Sequence, residues 1–207
     1  MSEAHLEVLV EEPSAEAALA LLLPKCGIGS FSIHAFQGKL DLLRKLPGRL
    51  KGYKWLPPTH RLLVLVDRDD ENCLKLKATL EQHAQGAGLV TRSTASAHAD
   101  RWVVVNRIAV EELEAWFFGD WKAVRAAYPR LPATIPAQQE YRDPDAIRGG
   151  TWERFEGVLQ ASGYYPSGLQ KKDVARRVAE HMVPLRNTSA SFRCLREALE
   201  EISTGSL

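Results

Sequence analysis

The chain has 207 residues, 27 basic against 26 acidic side chains, and three cysteines. That length can bury a sizeable core, and the near-zero net charge excludes a global basic field announcing nucleic acid. Cys26, Cys73 and Cys194 are widely spaced with no CxxC, which argues against a zinc site or disulfide framework and for a reducing compartment.

No basic-then-apolar leader opens the chain, and no apolar run approaches the ~20 residues a membrane helix needs, so a cytoplasmic protein is expected. His5–Val10 alternates and then closes apolar, which predicts a first strand. Glu11 and Glu12 follow, then Pro13, Ser14 as an expected N-cap, and a strong helix former from Ala15 to Leu23. Phe31–Phe36 alternates as a second strand. Gln37 and Gly38 turn the chain into a basic amphipathic helix from about Leu40 to Leu50, with Leu42, Leu43, Leu46 and Leu50 at helical spacing.

After Pro57 and Pro58 comes the stretch that organises the rest. Leu62–Val66 is five apolar residues in a row, the pattern of a strand buried on both faces, and it ends in Asp67, Asp69 and Asp70. Acids at the C-terminal end of such a strand lie where open α/β sheets hold their ligands. Asp67 and Asp69 share a face along a continuing strand, and carboxylates that close repel unless a cation or proton lies between them. They are candidate ligands for an oxygen-preferring divalent cation, Mg²⁺ or Mn²⁺. The alternative is that Asp70 caps the next helix and the others are solvated.

Glu71–Ala84 reads as a helix and Trp102–Ile108 as another strand, so strand and helix alternate as in a parallel sheet with crossover helices. Val110–Phe118 and Trp121–Tyr128 are predicted helical, Pro129–Gly150 is a long ordered loop, and Thr151–Ala161, Gln170–Met182 and Ser189–Ile202 form three more helices. The expected organisation is an α/β domain over residues 1–120 with a helical C-terminal extension, residues 121–207, packed on it.

Other side chains carry candidate chemistry. Glu11 and Glu12 end the first strand as Asp67 ends the third, and a glutamate there suits a general base or a metal ligand; both also favour the positive start of the next helix. Glu112 and Glu114 are embedded among Leu113, Trp116 and Phe117, and a buried acid needs a cation or a basic partner. Lys171 or Lys172 would neutralise charge on a phosphate, or both belong to a solvated helix face. Arg44, Lys45, Arg49 and Lys51, in the aromatic-bearing stretch Lys39–Trp55, form a candidate nucleic-acid surface or simply the wet side of a helix. Glycine-rich phosphate loops, GxSxG and Cys–His patterns are absent.

A glutamate after strand one and Asp-x-Asp after strand three resemble the Toprim domain of topoisomerases, primases and overcoming-lysogenization-defect (OLD) nucleases. The closer resemblance is to the DUF4276 family of Toprim-like proteins. It rests on Val10-Glu11-Glu12-Pro13-Ser14, Phe36-Gln37-Gly38-Lys39, Val66-Asp67-Arg68-Asp69 and Glu112-Leu113-Glu114-Ala115-Trp116, and extends to Lys171 or Lys172 and Ser191-Phe192-Arg193. The resemblance implies a Toprim-like fold and metal-dependent cleavage of DNA or RNA, in which Glu11, Asp67 and Asp69 form one Mg²⁺ or Mn²⁺ site. Glu112 and Glu114 would contribute to a second, with a lysine as basic helper. It also implies an ATPase partner in a phage-defence or mobile-element setting. The chain departs from the family pattern at Glu12 and Ala15, where a glycine and an acid are usual; this favours the alternative of a non-catalytic module binding nucleic acid or an ATPase.

Overall fold

The computed structural model describes residues 4–95, 101–166 and 168–204. Four parallel strands, β1 (His5–Val10), β2 (Phe31–Ala35), β3 (His60–Asp67) and β4 (Val104–Ala109), lie in the order β2-β1-β3-β4. Crossover helices α1 (Pro13–Lys25), α2 (Lys39–Gly52) and α3 (Cys73–Gly86) alternate with them, giving the mixed α/β fold that the sequence predicts. From β1 the chain moves outward to β2, returns past β1, and then moves the other way from β3 to β4. The crevice between the carboxyl ends of β1 and β3 is therefore where the direction of winding reverses, the place where open sheets bind ligands.

The apolar run of β3 packs on both faces. Leu63 and Leu65 join α1 and the C-terminal helices, while Leu62, Val64 and Val66 join α2 and α3. Each such side chain taken fully from water contributes roughly 1.5–3 kcal/mol, which fixes the strand's register firmly. Pro13 occupies the first turn of α1, a position that needs no N–H. Glu12 rather than Ser14 precedes the helix, and the Ser14 hydroxyl donates to the Glu12 carboxylate. Helix α3 is capped by Asn72, whose side-chain oxygen accepts the Lys75 N–H at 3.0 Å. Asp70 is therefore not its cap.

The C-terminal part is helical: α4 (Ala115–Gly119), α5 (Trp121–Ala127), α6 (Thr151–Ala161), α7 (Lys171–His181) and α8 (Ala190–Thr204). Residues 129–150 are ordered by three single 3₁₀ turns, with Tyr141 stacked on Phe118 at 5.1 Å. Helix α7 packs along α1 and α5, and α8 lies on β4. Lys25 at the end of α1 donates to the carbonyls of Ala179, Glu180 and Met182 at 2.8, 2.7 and 3.0 Å, closing the negative end of α7. Val8, Leu19, Trp116, Phe155, Val178 and Leu195 belong to one apolar cluster.

One expected helix is much shorter. Helical geometry begins only at Ala115, not Val110. The preceding residues spend their polar groups elsewhere: the Ala109 and Glu111 carbonyls accept from the Arg68 and Asp69 N–H groups, and the Glu112 side chain reaches the start of α6. Among the described residues no helix is long and apolar enough to cross a membrane.

Candidate metal centre

The site grows from the ends of two adjacent strands. β3 finishes on Asp67, and β1 is followed at once by Glu11, whose Oε1 accepts the Asp67 N–H at 2.8 Å. The Glu11 carbonyl accepts the Gly38 N–H at 2.9 Å, which ties the entry to α2 to the same corner. Gly38 has φ of 94°, a left-handed conformation suited to glycine, and so aims the next residue, Lys39, across the strand ends. Lys39 Nζ lies 2.6 Å from Asp69 Oδ2 and 3.0 Å from Glu71 Oε1, and also reaches the Arg68 carbonyl. The pleat that would align Asp69 with Asp67 stops at Asp67. Asp69 takes φ of 48°, donates its N–H to the Glu111 carbonyl and turns its carboxylate to Lys39.

From the other side come Glu112 and Glu114. Glu112 Oε2 accepts the Trp152 N–H at 2.8 Å and the Thr151 hydroxyl at 3.1 Å, which supplies a partner to the otherwise unpaired start of α6. Its Oε1 lies 3.9 Å from Lys171 Nζ, which also stands 4.9 Å from the Trp152 ring centre. Glu114 is 1% exposed, and its Oε1 has no hydrogen-bond partner among the described residues. Lys172 lies on the exposed side of α7.

The electrostatics follow from this crowding. Burial, with Glu11, Glu114, Asp69 and Glu112 close by, holds the Asp67 carboxyl well above the usual range. Burial pushes Glu11 up to about 7, against the Asp67 N–H and Lys39. It pushes Glu114 up to about 8, against the pull of Lys171. For Lys171, loss of hydration disfavours the ammonium, but Glu114, Glu12, Glu112 and Asp67 outweigh it and its pKa is raised.

Lys39, Glu12 and Glu111 belong to this corner too. Glu111 pairs with Arg68 at 3.1 Å through Oε1, and its Oε2 is buried without a partner among the described residues. Gly38-Lys39 at the second strand–helix junction and the run Glu111-Glu112 are the sequence signals for two of them. Beside the carboxylates opens a cleft of about 320 Å³, lined by Asp69, Glu111, Glu112 and Glu153 with Gly149 and Gly150.

Hard oxygen donors and the orphaned Glu114 Oε1 suit Mg²⁺ or Mn²⁺ in chemistry. Among the described residues no three acidic or imidazole groups form an assembled cation cage, because Glu11 holds an N–H and Asp69 holds Lys39. Cation binding therefore calls for side-chain rotation at Glu11 and Asp69.

The basic residues of α2 stand elsewhere. Arg44 and Lys45 both pair with Asp41, Arg49 reaches His34 Nδ1 at 3.2 Å and lies over the Tyr53 ring, and Lys51 is exposed. Arg49 and Lys51 are three turns along α2 from Lys39, about 15–18 Å by helical rise.

The family model described as "Domain of unknown function (DUF4276)" matches residues 10–200. Among solved structures, the C-terminal region of the Burkholderia pseudomallei OLD protein aligns with a TM-score of 0.50 at 16% identity, over 98% of each chain. The C-terminal region of the Xanthomonas campestris pv. campestris OLD protein gives 0.48 at 14% identity, over 100% of this chain and 98% of that one. At 16% identity the Burkholderia likeness is one of fold alone. No curated protein matches the chain.

Proposed function

The chain belongs to the DUF4276 family, and on that footing we propose that it is a divalent-metal-dependent nuclease of Toprim type, hydrolysing phosphodiesters in DNA or RNA. One observation carries this reading: carboxylates from three separate segments crowd together at the winding reversal, and Glu114 is buried there with an oxygen that no group among the described residues satisfies. Carboxylates that crowd together out of water must share protons or hold a cation.

Glu11, Asp67 and Asp69 would hold one cation, and Glu112 with Glu114 a second. Bound Mg²⁺ or Mn²⁺ would supply an activated water and charge stabilisation at the phosphoryl group. The chain's own groups do the rest. Glu114, with a pKa of about 8, holds a proton at neutral pH until a cation takes its place. Lys171, pinned between Glu112 and the Trp152 ring, presents an ammonium where phosphate charge would develop. In this reading the family resemblance adds an ATPase partner and a phage-defence or mobile-element role.

The test is cleavage of supercoiled plasmid, linear duplex and single strands with Mg²⁺ or Mn²⁺. Wild type is expected to cleave and Asp67→Asn to cleave at least about 10²-fold more slowly. The second reading, a non-catalytic module that binds nucleic acid or an ATPase, is favoured by the 2.6 Å contact of Lys39 with Asp69. It predicts no cleavage by wild type in any metal.

A further inference from the structure

Outside the carboxylate corner, the densest meeting of aromatic and cationic groups is on the C-terminal helices. The Arg130 guanidinium lies 4.1 Å above the Tyr164 ring, and the Arg177 guanidinium lies 5.1 Å from the centre of Tyr128. Tyr128 and Tyr164 meet edge to face at 5.0 Å, and the Tyr128 and Tyr165 hydroxyls are 2.9 Å apart. Arg130 is steadied by the Gly163 carbonyl at 2.8 Å. Both arginines are exposed, and neither has a carboxylate within ion-pair distance among the described residues. Arg44 and Lys45 on α2, by contrast, share the single carboxylate of Asp41.

We propose that Trp152, Lys171, Arg177, Tyr164 and Arg130, with the fully buried Tyr128 supporting Arg177 and Tyr164 from beneath, form a track for single-stranded nucleic acid that leads into the carboxylate corner. Helices α6 and α7 set its course. Trp152 lies in the first turn of α6 at the acidic end, and Tyr164 stands just past its other end, α6 rising about 14 Å from Trp152 to Ala161. Lys171 opens α7 at the same acidic end, and Arg177 reaches the tyrosines about 9 Å further along. At about 3.4 Å per stacked nucleotide, 14 Å is the length of about four bases.

The chemistry selects the partner. Bases stack on tyrosine rings and on guanidinium planes, and guanidinium and ammonium groups take the phosphates. Stacking needs a free base face, which a duplex does not offer along its side. Asp173 and Glu180 share the exposed side of α7 but are outnumbered there by Lys172, Arg176 and Arg177.

The track takes from the nuclease reading only the position of the reacting centre, and the experiment separates the two. Binding is measured by fluorescence anisotropy in EDTA with Asp67→Asn, using labelled dT15, rU15 and a 15-base-pair duplex at ~50 mM salt. Either single strand is expected to bind at least tenfold tighter than the duplex. Arg130→Gln/Arg177→Gln is expected to weaken it about tenfold or more and to flatten the salt slope by about 1.4, two phosphates at roughly 0.7 each. Tyr164→Ser is expected to weaken it about fivefold or more. Lys172→Gln/Arg176→Gln, confined to solvent-exposed positions, keeps the test open if the first pair unfolds, and is expected to weaken binding about threefold. Equal affinity for duplex, unchanged affinity in these variants, or loss confined to Arg44→Gln/Lys45→Gln/Arg49→Gln/Lys51→Gln overturns the track. Plasmid cleavage by wild type with no effect of the track variants on binding overturns the track and keeps the nuclease. Single-strand binding that needs the track, with no cleavage in Mn²⁺, does the reverse.

Discussion

Two glutamates four residues apart, Glu7 in β1 and Glu11 just after it, meet opposite fates. Glu7 and Glu11 flank the apolar half of β1, and both are largely buried. Glu7 has His34 Nε2 at 2.7 Å, the Tyr53 hydroxyl at 3.2 Å and His5 Nε2 at 3.3 Å. Burial pushes its carboxyl up, but these partners outweigh it and its pKa ends below the ordinary value. Glu11 is offered one backbone N–H and a crowd of other acids, and its pKa rises to about 7. The amino end of the apolar run in β1 is finished by the protein's own side chains. The carboxyl end is left wanting positive charge, and that shortage is what the proposed cation would supply.

The sharpest way to break this contrast is to mutate each end and measure cleavage. Asp67→Asn is expected to lower the initial rate of metal-dependent cleavage on the order of 10²–10³-fold, while Glu7→Gln stays within a few-fold. The next effect is on metal-linked stability. Mn²⁺ at about 100 times its Kd should stabilise wild type by about 2.7 kcal/mol, and calorimetry should show that gain in Glu7→Gln but not in Glu114→Gln. Strand-end carboxylates that neither cleave nor bind would make the two ends equivalent.

In EDTA the ends should titrate with opposite signs. A carboxyl raised in the fold binds more protons folded than unfolded, so Glu11 and Glu114 make stability fall as pH rises from about 4.5 toward 7 and 8 respectively. Glu114→Gln should remove part of that loss, on the order of 1–3 kcal/mol at pH 8, read from denaturant melts at pH 5 and 8. Glu7 contributes stability above its unfolded pKa, lost as pH falls through its lower folded value. Glu7→Gln should therefore flatten the acid side of the profile instead. The smallest effect is expected for Lys39→Met. Its partners Asp69 and Glu71 are half exposed, so stability should change by about 0–1 kcal/mol, while Mn²⁺ affinity measured by titration rises a few-fold as Asp69 is released.

Much of this was legible before any coordinates. The uninterrupted apolar run before Asp67 marks β3 as a strand buried on both faces, and the alternation in Phe31–Phe36 marks a second strand. Strand ends and family resemblance point to Glu11, Asp67, Asp69, Glu112, Glu114 and Lys171, and the fold brings these side chains to one corner. What the sequence hid was set by long-range contacts. Nothing local says that Lys39 crosses to Asp69, 30 residues on, or that Glu112 caps a helix beginning at Thr151. Helical propensity favoured Val110–Glu114, but hydrogen bonds to the β3–α3 loop and to α6 override propensities worth tenths of a kcal/mol. The cluster of Tyr128, Arg130, Tyr164 and Arg177 has no local signature because its members come from three separate stretches.

The seam between α1 and α7 bears on how the chain is made. Leu19 and Val178 belong to one core, and Lys25 finishes a helix some 155 residues downstream. A ribosome adding about 5–20 residues per second leaves the apolar side of α1 without its cover for roughly 8–30 s after it emerges. During that wait the sheet can form, yet its greasiest helix stays open to water and to other chains. The last helices are thus the lid of the fold, and a nascent chain stalled before Lys171 should be a client for chaperones.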